Sequence, residues 1–522
     1  MKKLLVLFTA LFAVTFVYAQ SKVFKEVSND ISSESKTIFS DNAVIGYVVF
    51  SQLEKASEDS FNYKLSIMDE NLNDIGVVNF REIGLNLEAI SFDQDVLCLG
   101  YIKSTELGKE YKKYKQVKNI DSKDYIMLQF INLDGKILST ENIPVSNSGK
   151  FYNAGAYSSK SNYTYSTKLK KGIQLETLYE KGFLLFYGDE NNSKLLHYDA
   201  AGKSKWATNM PDAEGYYLNT AGNNIYMLLK NKKDTYGDYS FTTINPITGI
   251  KGKNTELVDK EGNQLQVKTF EPDPSTNTMY MSGTIINNKR NTIDGRIKIY
   301  TKAMNKGVFT IDMDSTAKNG MREKYMYWSD GSLKPALNKQ GYSMEDKSYN
   351  VINTTYRDFN GNTYYVSDQL KKNPRIGGIV SSIILAPLII VPLMNAAIGF
   401  NLYRYDNESI YKLTPKGVLV KENEIEMIKS KKSAGKVETS YLNNTRSNYS
   451  LTNKEDRTSF IISSDEKNTY IYNTEKHKLT RTVPLKKDGS YMLIGPAKEG
   501  HIMVIEKNKK EKYTRLSIEK LN

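Results

Sequence analysis

The residues that most often carry chemistry in proteins are scarce and scattered in this sequence. Its three histidines, His197, His477 and His501, are far apart, with no i, i+4 pair and no cysteine nearby. The single cysteine, Cys98, lies in the apolar segment Asp95–Gly100, which predicts an inert core residue. Zinc sites and disulfides need several such side chains. The sequence therefore predicts no metal site, no cofactor and no catalytic residue of these kinds.

Three short motifs resemble functional sequences but lack the residues that would complete them. Asp69–Asp74 begins like a calcium loop, yet Asp74 stands where such a loop needs Gly, and Phe80 where it needs Glu. A hairpin turn is the better interpretation. Ser33–Lys36 and Ser433–Lys436 match the Ser-x-x-Lys spacing of penicillin-recognising enzymes without their partner motifs.

The densest group of charges is a basic run with interleaved tyrosines, from Lys109 to Lys118. The whole chain has a formal net charge of +13, with its lysines spread among many acids. A solvated loop is the ordinary structure of such a run, although mixed Lys and Tyr also suit acidic glycans or other polyanions. No specific nucleic-acid recognition is expected. The candidate polyanion contacts are Lys109, Lys112, Lys113, Lys115 and Lys118.

The first twenty residues predict export. Two lysines precede the uncharged apolar stretch Leu4–Val17, and Gln20 follows a suitable cleavage position. This pattern is typical of a secretory signal peptide, here residues 1–19, and the stretch is shorter than the ~20 residues that span a bilayer. An N-terminal membrane anchor is the alternative. The predicted mature chain would lie in the periplasm, in the outer membrane or outside the cell.

A strand–turn–strand unit recurs along the rest of the chain. Tyr, Val, Ile and Phe favour pleated strands, and Asp or Asn with Gly forms the turns. Most turns are about 45 to 65 residues apart, the length of one β-propeller blade. We therefore predict an all-β fold, a single β-propeller-like domain of seven to eight antiparallel blades over 20–522, with a set of β-sandwiches as the alternative. The leading strands of the predicted units are Ala43–Phe50, Asp95–Tyr101, Gly182–Tyr187, Asn224–Leu229, Thr278–Gly283, Asn362–Val366 and Thr458–Ile462, and the last pair is Tyr491–Ile494 and His501–Ile505. In the fifth unit, a further strand is predicted at Arg296–Tyr300 and a turn near Met304–Gly307.

These repeats resemble known proteins in two respects. The signal peptide and turns such as Phe130–Ile137 resemble a large group of exported β-propeller-like proteins of Gram-negative bacteria. That resemblance covers most of the mature chain and implies no particular activity. Tyr198–Trp206 is similar to the repeat of quinone-dependent propellers, most of whose blades carry a Trp. Since Trp206 and Trp328 are the only two here, no quinone cofactor is carried over.

An apolar insertion at 372–403 interrupts the sixth unit, and its core, Ile376–Tyr403, has no charged side chain. Its length suits a membrane segment, whereas Pro387 and Pro392 disfavour a straight helix. Three interpretations stay open: a helical hairpin dipping into a membrane, an apolar cap buried against the β-domain or a partner, and a full span. The predicted membrane or partner contacts within residues 376–400 are Ile383, Ile384, Leu385, Leu388, Ile389, Ile390, Val391 and Leu393.

Function is predicted only in outline. The first hypothesis is an exported cell-envelope protein that binds a ligand or acts as a scaffold, is not an enzyme, and is attached to a membrane or a protein partner through residues 376–400. The alternative is an envelope enzyme acting on glycans. In that case carboxylates from distant blades would converge at the propeller mouth, because glycoside hydrolysis uses a pair of carboxyl groups.

Overall fold

Most of the chain forms antiparallel β-sheet, arranged in the computed structural model as eight blades around a central axis. Apart from the blades there is a small three-stranded sheet. The structure describes residues 20–25, 32–40, 43–107, 109–112, 114–117, 120, 123–146, 150–153, 163–166, 169, 171–231, 237–287, 305–313, 320–330, 337–338, 341–374, 401–427, 449–453, 455–465 and 467–521.

The first half of the chain forms β1 and blades 1 to 4. Strand β1 is Gln20–Lys25. Blade 1 contains β2 (Ser32–Ser40), β3 (Ala43–Lys55), β4 (Phe61–Asp69) and β5 (Asp74–Glu82). Blade 2 contains β6 (Leu85–Asp93), β7 (Val96–Ser104), β9 (Asp124–Asn132) and β10 (Ile137–Val145), and the small sheet contains β8 (Glu110–Tyr111), β11 (Lys150–Asn153) and β12 (Tyr163–Ser166). Blade 3 contains β13 (Ile173–Leu178), β14 (Gly182–Gly188), β15 (Ser193–Tyr198) and β16 (Ser204–Asn209). Blade 4 contains β17 (Gly215–Ala221), β18 (Asn224–Lys230), β19 (Tyr239–Ile244) and β20 (Thr255–Glu256).

The second half forms blades 5 to 8. Blade 5 contains β21 (Gln264–Pro272), β22 (Met279–Ile286), β23 (Asn305–Met313) and β24 (Met321–Tyr327). Blade 6 contains β25 (Tyr342–Ser343), β26 (Ser348–Arg357), β27 (Thr363–Pro374), β28 (Asn401–Leu413) and β29 (Leu419–Ile425). Blade 7 contains β30 (Tyr449–Asn453), β31 (Thr458–Ser464), β32 (Asn468–Asn473) and β33 (Lys478–Pro484). Blade 8 contains β34 (Lys486–Lys487), β35 (Ser490–Pro496), β36 (His501–Asn508), β37 (Tyr513–Lys520) and, as its outer strand, β1.

The ring is closed by the two ends of the chain. Strand β1 pairs antiparallel with β37 over six residues, from Gln20 opposite Ile518 to Lys25 opposite Tyr513. Apolar clusters fill the junctions between neighbouring blades, and the one containing Val49 and Met503 joins blade 8 to blade 1. The prediction of a propeller is thereby confirmed, with eight blades.

The strand of each blade that lies nearest the central axis is called its inner strand, as β6, β13, β17 and β21 are in blades 2 to 5. Polar side chains link these inner strands to one another. Thr177 Oγ1 donates to Phe92 O at 2.8 Å, and Thr220 Oγ1 donates to Thr177 O at 2.9 Å. Asn219 Nδ2 donates to Phe270 O at 3.0 Å in the next junction. Each bond satisfies a carbonyl on the inner edge of a sheet, where no further strand can pair. Each of these bonds joins the C-terminal end of one inner strand to the C-terminal end of the next, so the inner strands run in the same direction.

The two faces of the ring differ. Inner strands end at one face, here called the turn face, which also carries short turns such as Asp69–Asp74 between β4 and β5. Asn71 N and Asn73 N each donate to Asp69 Oδ1 at 2.8 Å, which confirms the predicted hairpin turn. Inner strands begin at the opposite face, here called the loop face. It carries the longer connections, including the four-residue helix α1 (Tyr114–Val117).

One predicted turn is wrong. Asn305, Lys306 and Gly307 belong to β23, not to a turn near Met304–Gly307. A Cβ on Gly307 would stand 2.1 Å from Met326 O, so this glycine permits close approach of two strands at a bulge. The predicted strand at Arg296–Tyr300 lies outside the described residues.

The boundaries of the predicted apolar insertion also change. Lys372–Pro374 and Asn401–Tyr403, predicted as parts of a helical hairpin, are strand residues of β27 and β28. Their apolar–polar mixture and cross-strand pairing extend the blade 6 hairpin instead. Residues 375–400, which contain every predicted contact from Ile383 to Leu393, lie outside the described residues. The helical hairpin is not seen in the part of the chain that the structure describes.

Pro374 and Asn401, which flank segment 375–400, lie side by side. Pro374 pairs with Asn401, and this hairpin stem extends past Tyr349, the last β26 residue to pair with β27, on the loop face. Paired residues of antiparallel strands are about 5 Å apart. A single crossing would separate the two ends by the ~30 Å of a bilayer core, so this pairing disfavours the full-span interpretation.

Candidate functional site

A cavity of about 340 Å³ opens on the turn face between blades 5 and 6. It lies where the inner strands β21 and β26 end. Its volume is in the range of small-molecule sites in proteins. The residues that line it are mostly polar: Asp273, Ser275, Thr276, Thr310, Asp312, Lys324, Arg357, Phe359, Asn360, Gly361, Thr363, Leu413, Thr414 and Pro415.

Arg357, the last residue of β26, is the charged centre of this cavity. Its side chain is 8% exposed, and Nη1 donates to Asp273 Oδ2 at 3.1 Å and to the Asp312 carboxylate. The guanidinium carbon lies 4.2 Å from the ring centroid of Tyr280. No described residue accepts a hydrogen bond from Nη2. These remaining donors are therefore available to an acceptor in the cavity.

Asp273 is fixed by the turn that it begins. Its Oδ1 accepts from Ser275 Oγ at 2.7 Å, from Ser275 N at 2.8 Å and from Thr276 N at 2.9 Å. Burial alone would raise the pKa of Asp273, but these bonds and the Arg357 guanidinium outweigh burial and lower it. Asp273 is therefore ionised at neutral pH and held in one orientation.

The second wall of the cavity is built by the turn after β26. Asn360 N and Asn362 N donate to Asp358 Oδ1 at 2.9 and 2.8 Å, and Gly361 adopts a φ of +76° that favours glycine. This turn places Phe359 and Asn360 at the cavity. The same Asp–Gly chemistry that identified the repeats in the sequence thus also shapes the site.

A polar layer lies beneath the cavity, between the inner parts of blades 5 and 6. Tyr280 Oη donates to Glu271 Oε1 at 2.6 Å, and Thr269 Oγ1 donates to Thr355 O at 2.5 Å. Burial raises the pKa of Glu271, and the bond from Tyr280 and the charge of Arg357 offset only part of that rise. Apolar packing resumes farther out, around Trp328. This junction therefore holds buried polar groups in fixed positions.

The cavity offers hydrogen-bond donors and acceptors side by side. Arg357 supplies donors, and the 26%-exposed Asp312 side chain supplies acceptors. The buried Thr310 and Thr363 also line the cavity, and Thr363 Oγ1 accepts from Arg357 Nε at 3.4 Å. Lys324, whose Nζ donates to Pro415 O at 2.9 Å, lies at an exposed edge. Sugar hydroxyls also both donate and accept, so the arrangement suits a hydroxyl-rich ligand.

The same groups are poorly arranged for glycoside hydrolysis. That reaction needs one carboxylic acid held protonated near a second carboxylate. The pKa of Asp273 is lowered, and Asp312 is bound to the same guanidinium. Glu271, whose pKa is raised, accepts from Tyr280 and does not line the cavity. The cavity is therefore better suited to binding than to cleavage.

Another carboxyl group lies on an inner strand. Glu176 of β13 is half-buried, and burial raises its pKa to about 8. Alternation along β13 places it on the side of Gln174, whose amide bonds Tyr216 O at 2.6 Å in the next inner strand. Among the described residues, no second carboxylate acts on its pKa.

Of the predicted polyanion contacts, Lys109, Lys112 and Lys115 lie between β7 and β9, on the loop face. Lys109 Nζ is 2.7 Å from Asp59 Oδ1 and 3.7 Å from Glu106 Oε1, so its charge is compensated. Lys112 and Lys115 are exposed. Lys113 and Lys118 lie outside the described residues. The sequence did not indicate the ion pair with Asp59, because that residue belongs to blade 1.

The histidines and the cysteine lie apart from one another. His197 Nε2 is 2.9 Å from Lys181 O, His477 Nδ1 is 2.7 Å from Glu422 Oε1, and His501 Nδ1 is 2.7 Å from Glu499 O. Cys98 is buried in β7, as predicted, and burial raises the pKa of its thiol. Within the described ranges, no three His, Cys, Asp or Glu side chains are grouped closely enough to hold a metal ion.

The sequence-based analysis missed Arg357, Asp273 and Asp312. Asp273 and Asp312 lie 84 and 45 residues from Arg357 along the chain, so no local spacing pattern connects them. A weak signal was present: Asp273 and Asp358 begin the equivalent turns of consecutive blades, and Arg357 is a charged residue at the end of a largely uncharged strand.

No helix in the described part of the chain is long and apolar enough to cross a membrane.

No protein-family model and no curated protein matches this sequence. Solved structures with a similar arrangement include the Dos1 propeller, with a TM-score of 0.43 and 10% identity, covering 96% of this chain and 95% of that chain. The C-terminal WD40 domain of Sif2 has a TM-score of 0.40 and 7% identity, and the match covers 95% of this chain and 99% of that chain. The Synechocystis apocarotenoid oxygenase has a TM-score of 0.35 and 8% identity, and the match covers 90% of this chain and 91% of that chain. Identities this low transfer no function.

Proposed function

We propose that this protein is a ligand-binding propeller of the bacterial cell envelope, without enzymatic activity, and that its binding site is the Arg357 cavity. One observation carries the proposal. Arg357 is nine-tenths buried and holds two aspartates, yet its Nη2 has no partner among the described residues. A pre-positioned charged donor in a cavity of this size is a feature of specific binding sites.

The ligand class that fits is a glycan. Arg357 provides donors for a hydroxyl or carboxylate oxygen, and Asp312 provides acceptors for hydroxyl groups. Carboxylates accept strong hydrogen bonds from neutral hydroxyls without needing a cationic ligand. Both neutral sugars and sugars with a carboxylate are compatible with Arg357.

The signal peptide and the hairpin stem support a location and an orientation. Export would place the mature chain, from Gln20, in the envelope. Segment 376–400 would attach the ring to a membrane or a protein partner, and the flanking pair, Pro374 and Asn401, lies on the loop face. The cavity opens on the turn face, so a bound glycan would lie on the side away from the attachment.

Replacing Asp312 by Asn tests the proposed site. The substitution keeps the shape of the side chain but removes the charge that strengthens its hydrogen bonds, so we expect glycan affinity to fall about tenfold or more. Isothermal titration of the exported protein with neutral and uronic-acid-containing oligosaccharides measures this. Asp488→Asn, in an exposed turn of blade 8, is the matched control and should bind like the wild type.

Two results would count against the proposal. Wild-type protein that binds none of these oligosaccharides, or an Asp312→Asn variant that binds them equally well, removes the glycan assignment. Chromatography of the titrated samples tests the alternative function. Shorter oligosaccharides formed by the wild type would establish a glycan-cleaving enzyme instead.

A further inference from the structure

Lysines are concentrated at the loop-face end of blade 8, where its inner strand, β35, begins at Ser490. Two hairpin turns meet there, because Asn508 Nδ2 at the end of β36 donates to Ser490 Oγ at 3.1 Å. Strand β1 lies beside them, with Lys25 opposite Tyr513. Seven exposed lysines, here called the lysine patch, occupy this end of the blade: Lys25, Lys486, Lys487, Lys507, Lys509, Lys510 and Lys512.

The positive charge of the lysine patch is not compensated within the described part of the protein. None of its side chains forms an ion pair with a described residue. The half-buried Glu506 accepts from Tyr513 Oη at 2.6 Å and pairs with Arg515 at 3.2 Å. Asp488 and Glu511 are the exposed acids between the lysines. The remaining excess of like charges is self-repelling and favours contact with an anionic partner.

Turns of defined shape present these lysines. Asn508 Oδ1 accepts from Lys510 N at 3.0 Å and from Glu511 N at 2.9 Å, which fixes the turn between β36 and β37. In the neighbouring turn, between β34 and β35, Lys487 pairs with Ser490. The ammonium groups are therefore carried on projecting hairpin ends.

An exposed aromatic ring lies among the lysines. Tyr491 is 46% exposed, and Lys486 Nζ lies 4.9 Å from its ring centroid. Lys507 pairs with Tyr491 across the sheet. Tyrosine and lysine together suit the head-group level of a membrane, where the ring is partly buried and the ammonium groups meet lipid phosphates. Single-stranded nucleic acids, in contrast, are usually bound along a groove.

We propose that the lysine patch docks on a membrane surface that contains anionic phospholipids. The patch lies on the loop face, which also carries Pro374 and Asn401, the pair that flanks segment 375–400. Attraction to an anionic bilayer acts over about one Debye length, ~8–10 Å in physiological salt, so projecting lysines suit it. The proposal depends neither on glycan binding by the Arg357 cavity nor on membrane insertion of segment 375–400.

Vesicle binding of the full exported protein tests the proposal. Vesicles of phosphatidylcholine with phosphatidylglycerol should bind it more tightly than vesicles of phosphatidylcholine alone, and added salt should remove the difference. One lysine near an anionic surface contributes about fivefold in affinity. The combined variant Lys509→Gln, Lys510→Gln and Lys512→Gln should therefore lose roughly 100-fold of the preference for anionic vesicles.

The matched control is the combined variant Lys136→Gln, Lys203→Gln and Lys476→Gln, which removes three exposed lysines from turns of the turn face. This control has the same net charge as the patch variant and should keep the preference of the wild type. An equal loss in both variants would overturn the proposal, since it would show that net charge alone attracts the protein. Equal binding of the wild type to both kinds of vesicle, or an unchanged preference in the patch variant, would also overturn it.

Soluble polygalacturonate tests a different occupant of the lysine patch. Binding of this polymer that the patch variant loses, without any preference of the wild type for anionic vesicles, would assign the patch to acidic polysaccharides and overturn the lipid assignment. The patch variant should bind the oligosaccharides of the Arg357 cavity with unchanged affinity, so failure of one site is distinguishable from failure of the other.

Discussion

An Arg357→Met variant is expected to lose roughly 3–5 kcal/mol of unfolding free energy and all glycan binding. The substitution leaves Asp273, 6% exposed, and the Asp312 carboxylate without their shared partner. It also removes the cation above the Tyr280 ring. Removing one member of a buried ion pair is far more unfavourable than removing both. Urea denaturation and calorimetric titration measure the two effects.

The matched control for Arg357 is Arg81→Met. Arg81 is exposed on β5 and donates to Ser60 Oγ at 2.8 Å, so its loss should change the unfolding free energy by no more than ~0.5 kcal/mol. If Arg357→Met is as stable as this control, the buried network does not hold blades 5 and 6 together, and the description of the cavity is wrong.

Removal of the closing strand is the second change with a large expected effect. A mature chain that starts after Lys25 loses the six residue pairs between β1 and β37. At ~0.5–1 kcal/mol per pair, the free energy of unfolding should fall by roughly 3–6 kcal/mol. The exposed edge of β37 should also promote self-association. Urea denaturation and size-exclusion chromatography measure these changes.

Val23→Thr is the control for that truncation. Val23 is 45% exposed in β1, and Thr is compatible with a strand, so this variant keeps the pairing with Arg515 and should have the stability and oligomeric state of the wild type. A truncated chain that unfolds at the same urea concentration as the Val23→Thr variant would show that the ring does not need its terminal strand.

Much of the fold could be predicted from the sequence because the second and third strands of each blade are strongly apolar. Gly182–Gly188, buried at every position, is an example. The inner strands were harder to recognise. Gly215–Ala221 mixes apolar residues with Asn219 and Thr220, whose side chains bond neighbouring blades. A polar residue that bonds a distant strand has the same appearance in a sequence as one that faces water.

The candidate site could not be predicted for a related reason. Asp273, Asp312 and Arg357 belong to different strands and turns, and only the order of blades around the ring brings them together. The basic run at Lys109 shows the opposite error. The charges of this run are conspicuous in the sequence, but the ring places Asp59 beside Lys109, and the ion pair compensates the charge of Lys109. Tertiary partners decide which charged residues are available to a ligand.

The most direct test of the two-faced arrangement is a membrane-partition measurement with segment 375–400 replaced by Asn-Gly. Since Pro374 and Asn401 are already paired, a two-residue turn can close the hairpin without disturbing the blade. After an alkaline carbonate wash, wild-type protein should stay with membranes, and its measured mass should be that of residues 20–522. The shortened variant should be released and bind the same oligosaccharides with unchanged affinity. Release of both proteins, retention of both, or loss of binding in the shortened variant would contradict the account.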